Sequence, residues 1–352
     1  MDKQIIELLK NLIATPRTSR NETEAADLLE VQMKTWGMEP QRNGNNLWEV
    51  APGYDKSRPT LLLNAHIDTV KPVSAWTRNP FTPELTDEGK LYGLGSNDDG
   101  ASLVSLLATY IRLRNTKQSY NLIFLASAEE EVSGQNGVSS VLPLLPPISV
   151  GLVGEPTGMQ PAIAEKGLMV LDCTAKGKAG HAARNEGDNA IDHAIEDIQW
   201  FKTFRFENES ELLGPVKMTV TIINAGTQHN VIPDTCTFTV DVRSNECYSN
   251  EDIYNKVCES IKSEVKARSF RLNSSSISTN HPLLQRAIAM GKVPFGSPTL
   301  SDQALMHFPT MKMGPGDSRR SHTSDEYILI SEIEDAIETY WLLLNGLALN
   351  EA

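Results

Sequence analysis

Five carboxylates and two imidazoles stand out by where they fall in the chain. They are His66 and Asp68 in LLLNAHIDTV, Asp98 in YGLGSNDDGA, Glu130 and Glu131 in LIFLASAEEEVSG, Glu155 in VGLVGEPTG and His322 in GPGDSRRSHTSDE. Each sits at the end of an apolar run or in a turn rich in glycine. In this order they supply imidazole and carboxylate ligands for two divalent cations and leave one carboxylate spare. A spare carboxylate beside a metal-bound water is what hydrolysis of an amide requires.

Taken singly, each residue has a plainer reading. His66 and Asp68 point to one face of a strand, where a carboxylate can orient an imidazole, but an HxD can also be a simple strand end. Asp98 precedes a helix and can cap it through the helix dipole. The GxGxxD around Gly93, Gly95 and Asp98 lacks the third glycine and the buried strand of a dinucleotide site. Glu129, Glu130 and Glu131 can form a solvated acidic turn, or face one pocket where cations relieve their repulsion. Glu155 ends a buried strand and needs a partner or a cation there. His322 beside Arg319 and Arg320, and His181 in KAGHAARN, read by default as surface histidines, and His193, His281 and His307 as structural.

The bulk properties narrow the field. A length of 352 residues points to two domains. A charged fraction of 22% is ordinary for a folded chain and argues against extended disorder. A net charge of −13 disfavours nucleic acid or an anionic membrane as the main partner. Cys173, Cys236, Cys247 and Cys258 show no CxxC spacing and read as free, mostly buried thiols of a reducing, cytoplasmic compartment. The opening MDKQIIELLKNLIATP lacks a signal-peptide core, and its Ile5, Leu8, Leu9 and Leu12 predict an amphipathic helix. No stretch is apolar for long enough to span a bilayer.

The elements that position the candidate residues follow from periodicity. Ser19 and Glu22 have the spacing of a capping box before a helix that Gly37 can end. Strands are expected at Leu47–Val50, Thr60–Ala65, Leu122–Ala128 and Ile148–Val153, with a helix from Gly100 to about Arg114. Apolar strands alternating with helices predict an open α/β sheet with parallel members, whose ligands bind beyond the carboxyl ends of the strands. His66, Glu130, Glu131 and Glu155 all fall there. The middle of the chain then changes character. Strands at Met169–Lys176, Val216–Asn224 and Cys236–Arg243 interleave with helices at Asn189–Phe201 and Asn250–Val265, and a short strand near Ser269–Leu272 closes the set. That β-α-β-β-α-β order is ferredoxin-like. It predicts an inserted domain over 167–275, with 1–166 and 276–352 forming the outer one, the latter ending in helix Pro282–Met290, the His322 loop and a helix from about Ser331.

With these motifs in place, the chain resembles the zinc-dependent aminoacylase group that includes acetylornithine deacetylase, succinyl-diaminopimelate desuccinylase and carboxypeptidase G. The resemblance runs through the whole chain, in order and spacing. It implies an α/β catalytic domain, with a mixed, mostly parallel sheet flanked by helices, and an inserted ferredoxin-like α+β lid domain that mediates homodimerisation. It implies two divalent metal ions, Zn²⁺ first, with Co²⁺ or Mn²⁺ admitted by the donor set. By resemblance, His66, Asp98 and Glu155 hold the first metal. Asp98 also bridges to the second, which Glu131 and His322 complete. Asp68 stands behind His66, and Glu130 is the general base. His181 of the GHA motif serves the partner subunit's oxyanion. Asn230 of HNVIP and Arg243 of VDVRS contact substrate, and Gly314 and Gly316 line the second metal's side. Two departures are specific to this sequence. Asp99-Gly100 follows Asp98 directly, without the usual lysine, and Leu300 stands where a substrate-binding threonine is common. The implied activity is cleavage of an N-acyl amino acid of the N-acetyl- or N-succinyl-ornithine or citrulline type, in arginine biosynthesis. A dipeptidase, an aminopeptidase or a succinyl-diaminopimelate desuccinylase are the alternatives.

Overall fold

The computed structural model describes residues 2–184 and 186–349. The chain divides into two compact units: Met1–Ile163 with Ser276–Phe295 and Ser301–Ala352, and Ala164–Ser275 with Gly296–Leu300.

The first unit is built on strands too apolar for either face to meet water. Thr60–His66, Asn121–Ser127 and Val150–Val153 are buried at every position. Such strands pair in parallel because helices must cover both faces. Thr60–His66 runs parallel to Asn121–Ser127 on one side and to Val150–Val153 on the other, and Thr310–Lys312 adds a further parallel neighbour. The outer strands Asn46–Val50 and Gln41–Asn43 add antiparallel. The register places His66 opposite Ser127, so the ends of the two central strands finish at one level. Helix Ala101–Leu113 is almost wholly buried, and it shares a core with helices Asp2–Ala14, Thr23–Thr35 and Ile330–Leu344. A small antiparallel sheet of Glu84–Leu85, Lys90–Tyr92 and Tyr327–Leu329 joins the late chain to the turn that leads to Asp98.

In the second unit, strands Met169–Lys176 and Thr235–Arg243 alternate buried and less buried residues, the period of a sheet with one covered face. The strand order is Lys217–Ala225, Thr235–Arg243, Met169–Lys176, Glu264–Ala267, all antiparallel. Helices Ala190–Thr203 and Asn250–Ser260 complete the β-α-β-β-α-β order, and residues such as Leu171, Phe238, Ile253 and Val257 form the core between them. Both helices start as their residues direct. The Asn189 side chain accepts from Ile191 N–H, and Ser249 with Asp252 forms a capping box.

Three local expectations fail. The Ser19–Glu22 capping box does not form; the helix starts at Thr23. Ser19 instead donates its hydroxyl to Asp68 at 2.7 Å, while Glu22, fully buried, accepts from the Arg20 and Glu129 amides. The helix expected to reach Val265 ends at Ser260, and the closing strand is Glu264–Ala267, not Ser269–Leu272. The cause is Asp197 on the other helix, whose carboxylate accepts from Lys262 N–H (3.1 Å), Ser263 N–H (2.9 Å) and the Ser263 hydroxyl (2.5 Å). Finally, Cys173 and Cys236 are buried but Cys247 and Cys258 are exposed.

Asp197 is only 4% exposed, so removing its carboxylate orphans three donors in a dry corner. Asp197→Ala is expected to lower stability by ~3 kcal/mol in urea unfolding; a loss below ~1 kcal/mol would contradict the assigned role.

Candidate active site

His66 is the last residue of its strand. Its Nδ1–H donates to the backbone carbonyl of Asp68 at 3.0 Å, which leaves Nε2 facing Asp98 Oδ1 at 3.2 Å and Glu130 Oε2 at 4.0 Å. An imidazole fixed through one nitrogen presents the other as a ligand. Asp68 has more to do than stand behind His66. Its carboxylate also accepts from the Glu130 amide (3.1 Å) and the Glu131 amide (3.2 Å), so one buried side chain sets the positions of two candidate segments.

The acidic run divides because of its backbone. Glu129 adopts a left-handed conformation, φ 56°, directly before the short turn Glu130–Val132. Its own carboxylate faces away and accepts from Asn136 Nδ2 at 2.9 Å. A side chain at position 134 would collide with that carboxylate, which accounts for Gly134. Glu130 and Glu131 are thereby free to face His66. Glu131 meets His322 Nε2 at 2.9 Å, and the same nitrogen lies 3.7 Å from Asp98 Oδ2.

Two clusters result. Ligand atoms of His66, Glu130 and Glu131 lie within 4.8 Å of one another, as do those of Asp98, Glu131 and His322. Glu155 stands outside both compact clusters, following the Val150–Val153 strand and close enough to Asp98 and Asp99 to feel their charge. Gly314 packs on the Glu155 backbone, where a Cβ would lie 2.5 Å from the Glu155 carbonyl oxygen. Gly316, φ 86°, packs against the Asn97 side chain. Both glycines permit a close approach of backbones.

The electrostatics are those of a pocket short of positive charge. Burial pushes the Glu130 carboxyl well above its usual range, and nearby Glu155, Asp302 and Glu131 add to the shift. Burial also raises Glu155, with Asp98 the next cause. For His66, burial opposes protonation, but hydrogen bonds to Asp68 and Asp98 outweigh it and hold the ring cationic well above its ordinary value. The hydrogen bond to Glu131 lifts His322 to about 8. Burial lifts Asp99 to about 8 and Glu326 to about 7. Two imidazoles among mutually close carboxylates, with Glu130 and Glu155 pushed toward their protonated forms, are a donor set that fits a pair of divalent metal ions.

The remaining candidates lie in the second unit. His181 and Val231 are paired on a two-stranded ribbon, and the Asn230 carbonyl accepts from Ala182 N–H at 3.0 Å, so His181 and Asn230 are neighbours. His181 is exposed, and its Nδ1 accepts from Ala183 N–H. Arg243 pairs with Asp241 at 2.9 Å.

Sequence reasoning missed several residues of the first unit. Arg17 and Glu326 are both 2% exposed and bind the backbone around His66 and Asp98. Asn97, fully buried, donates its side-chain N–H to the Asp317 carbonyl. Asp302 accepts the Ser127 hydroxyl at 2.6 Å, next to Glu130. The one available signal was the position of Glu326, four residues after His322. An arginine after a helix and a proline gives none.

Comparison with known proteins gives the family. Residues 62–345 match peptidase family M20/M25/M40, and the chain belongs to that family of metallo-hydrolases. It is 28% identical to acetylornithine deacetylase of Proteus mirabilis, over 98% of this chain and 97% of that enzyme. It is 25% identical to a probable succinyl-diaminopimelate desuccinylase of Staphylococcus aureus, over 97% and 98%. Among solved structures, its fold is similar to a Staphylococcus aureus tripeptidase (TM-score 0.75, 19% identity, 98% of each chain). It is also similar to a dinuclear metal-binding peptidase of Bacillus subtilis (TM-score 0.70, 18% identity, 97% of each chain). Among the described residues, no helix is long and apolar enough to cross a membrane.

A pH dependence follows from these shifts. Groups with raised pKa values stabilise the fold when protonated, and that stability is lost as pH rises through the folded-state value. Asp99 and His322 near 8 and Glu326 near 7 all act in this direction. Chelator-treated protein is expected to lose thermal stability between about pH 6 and 8, and metal-loaded protein to lose much less. Parallel melting profiles of the two forms across that range would refute the charge assignment.

Proposed function

We propose that this protein is an N-acyl-amino-acid deacylase of the acetylornithine deacetylase type. It would cleave an N-acetyl or N-succinyl group from ornithine, citrulline or a close analogue, in a cytoplasmic step of arginine biosynthesis. The observation that carries this reading is Glu130: a carboxylate only 9% exposed, with a raised pKa, set 4.0 Å from a candidate ligand imidazole and beside Glu131, which belongs to both candidate clusters. The match to the Proteus mirabilis deacetylase along both full chains supports the substrate class.

On this reading His66, Asp98, Glu131, Glu155 and His322 hold two Zn²⁺ ions, with Co²⁺ or Mn²⁺ able to replace them. When bound, the metal pair lowers the pKa of a water and polarises the amide carbonyl. Glu130 takes the proton from the attacking water and returns it to the leaving amine nitrogen. Its raised pKa suits both halves of that transfer. Asp68 fixes the His66 ring and holds the Glu130 amide. His181 of the partner subunit donates to the tetrahedral oxyanion, and Asn230 and Arg243 bind the amino-acid portion. The homodimer this requires is supported by the edge strand Lys217–Ala225, whose Ile222 and Ile223 are each 51% exposed. A second reading, succinyl-diaminopimelate desuccinylase, is supported by the Staphylococcus aureus relative.

The deciding experiment is amine release from N-acetylornithine, N-acetyl- and N-succinylcitrulline, N-succinyl-diaminopimelate and simple dipeptides, with Zn²⁺ or Co²⁺ and a chelator control. Chelator-sensitive release from an ornithine or citrulline derivative is expected. Turnover of N-succinyl-diaminopimelate alone moves the protein to the second reading, and turnover of dipeptides alone makes it a peptidase. Glu130→Gln should lower kcat roughly 10²–10⁴-fold with both metals retained; near wild-type turnover removes Glu130 as the base. His322→Ala should bind one metal more weakly, and unchanged occupancy in metal analysis would remove it as a ligand.

A further inference from the structure

Asp98 is carried by an irregular turn, and two buried side chains, Glu326 and Arg17, grip that turn. Glu326 accepts three backbone N–H groups: Gly95 at 3.1 Å, Asn97 at 2.8 Å and Asp98 itself at 2.9 Å. Arg17 donates to three backbone carbonyls: Ile67 at 2.6 Å, Gly95 at 2.9 Å and Leu12 at 3.2 Å. Gly95 is therefore pinned twice, through its N–H by Glu326 and through its carbonyl by Arg17. Ile67 lies between His66 and Asp68. Arg17 thus ties the end of the His66 strand directly to the turn that presents Asp98.

The packing leaves no slack. A Cβ at position 95 would lie 2.6 Å from Arg17 Nη2 and 2.5 Å from Thr69 Cγ2, and Gly95 has φ 73°. A Cβ at position 100 would lie 2.3 Å from the Gly95 carbonyl oxygen. Burying a carboxylate and a guanidinium is costly, and apolar residues can fill the same space without that cost. What the pair adds is geometry: the hydrogen bonds of a charged guanidinium are shorter and about twice as strong as neutral ones, and its plane spans several carbonyls at fixed angles.

We propose that Arg17 and Glu326 are positioning residues, a buried brace that fixes the spacing between the His66–Asp68 strand end and the Asp98 turn, and so sets how tightly the metal pair is held. The proposal rests on the metal-centre reading above. Both side chains act through backbone atoms, so neither is needed as a ligand. Glu326→Gln keeps one acceptor oxygen but turns an amide donor toward a backbone N–H. Arg17→Lys keeps the charge but cannot reach three carbonyls in one plane.

The test uses full-length enzyme, stripped with chelator and titrated with Co²⁺. Calorimetry and the visible absorption of bound cobalt are read together with kcat and KM at saturating metal. In either variant, metal affinity is expected to fall roughly 10–100-fold at one site or both, as for other groups that orient metal ligands. The cobalt spectrum should change, and kcat should fall while KM stays near wild type. Wild-type affinity and spectrum in both variants would overturn the brace. Should both variants fail to fold, hydrogen exchange on unmodified, metal-free enzyme decides the matter. The Gly95, Asn97 and Asp98 amides should remain protected without metal, and exchange as fast as in exposed loops would overturn the proposal. If unmodified enzyme takes up no Co²⁺ at all, the metal-centre reading itself falls and the brace with it.

Discussion

Like charges converge at the carboxyl ends of the central strands, and the surrounding structure is arranged around their repulsion. Asp68, Asp98, Asp99, Glu130, Glu155 and Glu326 feel one another or the same imidazole in a region largely closed to water. Buried carboxylates persist only where hydrogen bonds or cations answer them. Here the answers come in layers. Backbone amides meet Asp68 and Glu326, His66 stands between Asp68 and Asp98, and Arg17 lies beneath, its own guanidinium lowered by burial to about 10. The centre remains short of positive charge, which on the proposed reading a pair of divalent ions would supply.

The strands that carry the centre were legible from the unbroken apolar runs at 61–63 and 122–126. Thr60–His66 and Asn121–Ser127 are buried at every position, and the chemistry begins where each strand stops. His66, Glu130, Glu131 and His322 were visible as residue types that can ligate. Arg17, Asn97 and Glu326 were not. They act on backbone groups of segments remote in sequence, and nothing in a linear pattern tells a gripping arginine from a solvated one.

The misread boundaries share that cause. Ser19 has the right spacing to cap a helix, but its hydroxyl goes to Asp68, a stronger acceptor brought close by the fold. The pattern after Ser260 suits a continuing helix until Asp197 captures the Lys262 and Ser263 amides. Local propensity is worth a fraction of a kcal/mol per residue, and one buried carboxylate with several donors exceeds it. Where the competing partner is itself local, as for Asn189 or the Ser249–Asp252 box, sequence and structure agree.

The short strand Tyr327–Leu329 pairs with Lys90–Tyr92, and its N-terminal neighbour is Glu326. That pairing has a consequence for biosynthesis. A ribosome delivers Arg17, His66, Asp98, Glu130, Glu131 and Glu155 early, but His322 and Glu326 only within the last tenth of the chain. Until that segment emerges, the Asp98 turn lacks the Glu326 half of its grip and the second imidazole. A nascent chain therefore presents acidic side chains without a finished cage. On the proposed reading, metal acquisition would be a property of the completed polypeptide, and an incomplete product would carry no assembled centre with which to compete for the cell's metal.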